Sequence, residues 1–155
     1  MDSEQPDWRR SATAVLGGIV LSMVLATLAG VVLTRTSEMQ VFFNAMQGAR
    51  TGQDPPQGEA ERVLAAMDVT AFRMRWIAGP AVAVLTGAFV RLIARAHVWQ
   101  MAILAVMPFA YLFSGGWISR SSVMFSALYV GLAASVAGLV SSASRRQTAD
   151  PFRRR

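Results

Sequence analysis

Four stretches of this chain are apolar for long enough to cross a bilayer, and no other feature constrains its fold as strongly. They cover residues 12–33, 76–93, 98–118 and 122–141. A helix needs about 20 residues to span roughly 30 Å of hydrocarbon. The first, third and fourth stretches hold no charged residue, and the second holds only Arg91, close to its end. Lipid offers the backbone no hydrogen-bond partner, so each stretch must satisfy its own N–H and C=O groups as a helix. The expected fold is all-α: an integral membrane four-helix bundle forming a single membrane domain over residues 1–155. A loop over 34–75 joins the first two spans, and a tail over 142–155 follows the last.

Composition agrees. Charged residues make up 15% of the chain, against about 25% in soluble domains. The net charge of +6 comes entirely from arginine on the basic side, with no lysine. That charge gathers at the ends of the apolar stretches, where topology alone requires it, so nucleic acid is not an expected partner. Arg9 and Arg10 before an apolar run resemble a signal peptide, but the run exceeds a usual signal core and three more follow. An uncleaved first helix is the expectation.

The four tryptophans mark the boundaries of the spans. Trp8 precedes the first, Trp76 opens the second, Trp99 opens the third and Trp117 closes it. Indole favours the headgroup layer, so all four are expected membrane-interface anchors. Arg9, Arg10, Arg91, Arg95, Arg145, Arg146 and the final three arginines fall on one side. Under the positive-inside rule that side is the cytoplasm. Both termini are then cytoplasmic, in a cell (inner) membrane, and the 34–75 loop is extracytoplasmic.

That loop has its own pattern. Met39, Phe42, Phe43 and Met46 stand at helical spacing, with Thr36 or Ser37 placed to cap. A break around Asp54-Pro55-Pro56 follows. A second helix then runs from Glu59 toward Arg75, acids first and arginines last as the helix dipole prefers, and continues into the second span. The hairpin either lies on the membrane and caps the bundle, or offers its Met/Phe stripe to a partner protein.

Within the spans, small residues recur every fourth position: Ala14, Gly18, Ser22, Ala26 and Gly30 in the first, Gly79, Ala83 and Gly87 in the second, Ala127, Gly131 and Ser135 in the fourth. Close backbone approach drives helix association in lipid, so these stripes are helix-packing or partner surfaces. Pro108 is expected to kink the third span, while Pro80 falls in the first turn of the second, where its missing N–H costs little. Thr27, Thr86, Gln100, Ser114, Ser126 and Ser135, with Tyr111 and Tyr129, are available for hydrogen bonds between helices.

Residues that carry chemistry are missing from the pattern. No Asp or Glu lies in any span, and proton-coupled transport normally needs one buried there. The chain has no cysteine and one histidine, His97, in the turn before the third span. Its nine methionines are scattered over apolar faces. No phosphate loop, zinc helix or nucleophile elbow is present. Neither cofactor nor metal is expected, and no catalytic residue. The expectation is a non-enzymatic accessory or assembly subunit of a larger inner-membrane complex, partnered by lipid and by other membrane subunits or itself. The alternative is a small oligomeric transporter or channel for a neutral or apolar solute. A sensor receiving a ligand or partner on its outer hairpin is a third reading.

Overall fold

The computed structural model describes residues 7–52, 58–94, 97–114 and 119–148, and the side chains of 8–52, 58–94, 97–114 and 119–139. The described residues build six α-helices and one π turn. They are α1 (Asp7–Thr34), α2 (Ser37–Arg50), α3 (Glu59–Arg73), α4 (Gly79–Ile93), α5 (Val98–Phe113) and α6 (Arg120–Thr148), with the π turn Met74–Ala78 joining α3 to α4.

Three helical runs are long and apolar enough to cross a membrane: Trp8–Thr34, Glu59–Ile93 and Arg120–Leu139. The first two contain the expected first and second stretches, and the last covers 122–139 of the expected 122–141. Helix α5 is apolar but 16 residues long, about 24 Å at 1.5 Å per residue, short of the hydrocarbon thickness. The remainder of the expected third span falls on 115–118, where Gly115, Gly116 and Trp117 lie outside the described residues. So do Arg95, the Asp54-Pro55-Pro56 break and the tail from 149. Helix α6 passes the expected span end at 141 and continues to Thr148. No Pro or Gly interrupts 139–148, so nothing in the sequence stops it there.

Helices α1 and α6 occupy opposite corners of the bundle, each packed against both α4 and α5. The core between them is built largely of alanine, with Val82, Val90, Val106, Phe109, Phe125 and Tyr129 as its larger members. The big aliphatic side chains point the other way: Leu16, Val20, Val24, Leu28, Leu85, Leu104 and Leu139 are exposed. In water this arrangement would leave a large apolar surface uncovered. In lipid it is favourable, because side chains there gain by close packing of small residues and lose nothing by facing acyl chains.

Outside the bundle, α2 and α3 pack against each other as an antiparallel pair. Two i→i+3 bonds close the end of α1, Arg35 N–H to Val32 O (3.2 Å) and Thr36 N–H to Leu33 O (3.1 Å). Thr36 stands at the N-cap of α2 but makes no side-chain cap, contrary to expectation. Its hydroxyl turns back to Leu33 O at 2.7 Å, and that of Ser37 goes to Glu38 Oε2 at 3.3 Å. The effective cap is elsewhere: Ser119 Oγ accepts the Ser122 N–H at 3.2 Å and starts α6.

Helix α3 runs through the π turn into α4 without a break, one helix of 35 residues, about 52 Å long. This continuity corrects the reading of Pro80. The residue is in the first turn of α4, but helix precedes it, so its missing N–H leaves an acceptor upstream unserved.

Candidate functional site

The joint between α3 and α4 is where that acceptor is dealt with. Gly79 N–H reaches back five residues to Met74 O, so Arg75 O loses the donor an α-helix would give it. The donor one residue further on would be Pro80, which has no N–H. Tyr129 on α6 supplies the bond instead, its hydroxyl donating to Arg75 O at 2.8 Å. The Tyr129 ring is fully buried, and it can come this close because position 79 is glycine. A Cβ there would lie 2.5 Å from Tyr129 Oη.

Aromatic side chains surround the joint. Arg75 Cζ lies 5.7 Å from the Phe125 ring centre, and Trp76 meets the same ring edge-on at 5.2 Å. Phe109 of α5 is 5.7 Å from Tyr129 and 4.5 Å from Phe113. Each such pair contributes about 0.5–1.5 kcal/mol beyond burial. Together they tie α5 and α6 to the joint.

Immediately before the joint, Arg73 grips Glu38 of α2 through both carboxylate oxygens, at 2.9 and 3.1 Å. The backbone N–H of Glu38, in the first turn of α2, and then Arg73 hold this carboxyl below its ordinary pKa. The Met/Phe stripe of α2 divides along its length. Met39 and Phe42 turn toward α3 and, with Met67, Thr70, Ala71 and Met74, line an apolar hollow of about 230 Å³. Phe43 and Met46 remain exposed.

The small-residue stripes divide in the same way. Ala14, Gly18, Ser22 and Ala26 are buried inside the bundle. A Cβ on Gly18 would lie 2.7 Å from that of Ala105. Gly87 rests on the backbone of Ala133, whose carbonyl oxygen would be 2.5 Å from an added Cβ. Gly30 and Gly131 have nothing within 4 Å of that position, and Ala127 and Ser135 are exposed. The stripes of α1 and α4 are thus largely used within the chain, whereas that of α6 faces outward. Beside it, Ile103, Met107, Val123, Ala127 and Val130 border an apolar groove of about 350 Å³ between α5 and α6.

Of the polar residues in the spans, Ser126 bonds across helices, to Ser114 Oγ at 2.9 Å and Ala110 O at 3.1 Å. Thr27 bonds within its own helix. Thr86 is fully buried and its hydroxyl oxygen has no hydrogen-bond partner among the described residues. Gln100 and Ser135 are exposed. Pro108 lies inside α5, and Trp8, Trp76 and Trp99 are exposed, at 63%, 49% and 54%. Among the described residues no three His, Cys, Asp or Glu side chains converge to hold a metal ion.

No family model, curated protein or solved structure matches this chain. The site therefore stands on its geometry. Sequence reading names Tyr129 only as one of several groups free to bond between helices. The signal for its role is the Gly79-Pro80 pair, a missing side chain beside a missing N–H.

Proposed function

We propose that this chain is a non-enzymatic integral membrane protein, an accessory or assembly subunit of a larger inner-membrane complex. In this reading it crosses the membrane four times, keeps both termini in the cytoplasm and holds α2 and α3 on the outer side. One observation carries the proposal. Phe43, Met46, Leu64 and Met67 are 45–62% exposed on helices that extend past the bundle. Apolar exposure on the spans is covered by lipid; exposure on a projecting hairpin calls for cover by a partner protein or by the headgroup layer, and the assembly reading takes the first. The outward small-residue stripe of α6 offers a second contact, within the bilayer.

Purification of the tagged chain from its native membrane in mild detergent, with mass spectrometry of what accompanies it, tests this reading. Stoichiometric larger subunits are expected, and their loss when Phe43 and Met46 are both changed to Ser. A lone chain or small homo-oligomer would overturn the proposal. It would favour instead a small oligomeric transporter or channel for a neutral or apolar solute, for which the α5–α6 groove beside Pro108 is the supporting observation.

A further inference from the structure

We propose that the joint between α3 and α4 is a two-register switch, latched by the Tyr129 hydroxyl, that sets the rotational position of α3 relative to α2 and the bundle. A π turn is an α-helix holding one residue too many. Two arrangements of the same residues are open to it. In the one observed, Gly79 N–H serves Met74 O, and Arg75 O depends on Tyr129. In the other, Gly79 N–H serves Arg75 O as an ordinary i→i+4 bond, and Tyr129 loses its acceptor.

The residues around the joint all favour the observed arrangement. In the α register the Pro80 ring would meet the carbonyl of Trp76, four residues back, whereas in the π register Pro80 leaves Arg75 O to Tyr129. Gly79 leaves room for the Tyr129 ring, and Phe125 holds both Arg75 and Trp76. Glu38 holds Arg73 from the other side. Reversion to the α register removes the extra residue from the turn. With α4 fixed in the bundle, α3 then rotates by about 100° and advances about 1.5 Å. Arg73 turns away from Glu38, and the face that α3 shows to α2 is replaced. A molecule that grips α3 in one rotational setting selects a register, and the register determines whether Tyr129 bonds to α4.

The chain has no cysteine, so a pair of spin labels needs no background substitution. Labels at Ala65→Cys on α3 and Met124→Cys on α6 both occupy exposed positions. Their separation is to be measured by double electron–electron resonance on the purified chain in lipid nanodiscs, with no partner present, so the outcome is independent of the proposed complex. The unsubstituted joint should give one main distance. Tyr129→Phe, which removes only the latch, should add a second population displaced by on the order of 10 Å, as a rotation of that size moves a side chain. Deletion of Ile77, an exposed residue of the turn, removes the surplus residue and leaves α3 in its observed setting, so combined with Tyr129→Phe it should restore the first distance alone. An unchanged distribution in Tyr129→Phe overturns the proposal. If that variant fails to insert, Phe125→Leu, which releases Arg75 and Trp76, decides, and a single distance equal to that of the unsubstituted chain overturns it equally.

Discussion

At Gly87 the backbone of α4 lies against the backbone of α6, and the difference between a hydrogen and a methyl group decides whether the two helices can meet. An added Cβ would sit 2.5 Å from Ala133 O and 3.0 Å from its Cα. Neither atom can yield without moving the helix. Gly87→Ala is therefore expected to destabilise the bundle by about 1–3 kcal/mol, the usual range for overpacking. Gly131→Ala on the open face of α6 should change stability by less than about 0.5 kcal/mol. Thermal or denaturant unfolding in one detergent would compare them, and equal effects would contradict the packing described. Four-residue spacing marks both glycines alike in the sequence. Spacing reveals that a helix has a narrow face, but which neighbour uses it depends on how the helices are arranged, and that is not local information.

Much of the element scale was legible from the chain. The apolar lengths, the acid-to-arginine gradient of α3 and its passage into the second span all follow from local chemistry. The π turn does not, because it arises from a conflict between elements: α3 and the start of the turn must meet α2 through Met67 and Met74 while α4 meets α6 through Gly79 and Gly87. A uniform α register cannot present both faces, and one extra residue in the turn reconciles them. The hairpin also carries a pH dependence with a definite sign. Glu38 has a lowered pKa in the folded chain. Its bond to Arg73 therefore contributes in full above the ordinary carboxyl pKa and is lost as pH falls through the lowered value. Protection of α2 amides, taken relative to their intrinsic exchange rate, is expected to fall on acidification across that range. In Glu38→Gln it should lack this acid-dependent component. The Arg73–Glu38 pair is partly exposed, so the effect should shrink with added salt.

For the whole molecule, the 35-residue helix exceeds the roughly 30 Å hydrocarbon layer by more than 20 Å. The excess at its start is α3, so α2 and α3 belong to the water or headgroup side of whichever face they occupy. The proposed topology puts that face outside the cytoplasm. A single cysteine at Gln47 in α2 should then react with a membrane-impermeant thiol reagent in intact cells. One at His97, exposed in the turn before α5, should react only after permeabilisation. The reverse pattern would invert the proposed topology and leave the fold untouched.

The core made of alanine and glycine has a bearing on how such a chain changes over generations. Its outward Leu and Val answer only to lipid, and any residue of similar greasiness serves, so those letters are free to drift. Gly18, Gly79 and Gly87 answer to a neighbouring atom less than 3 Å from where a methyl group would be, and they have no substitute. Descendants of this sequence would share almost none of its bulky residues and nearly all of its empty places.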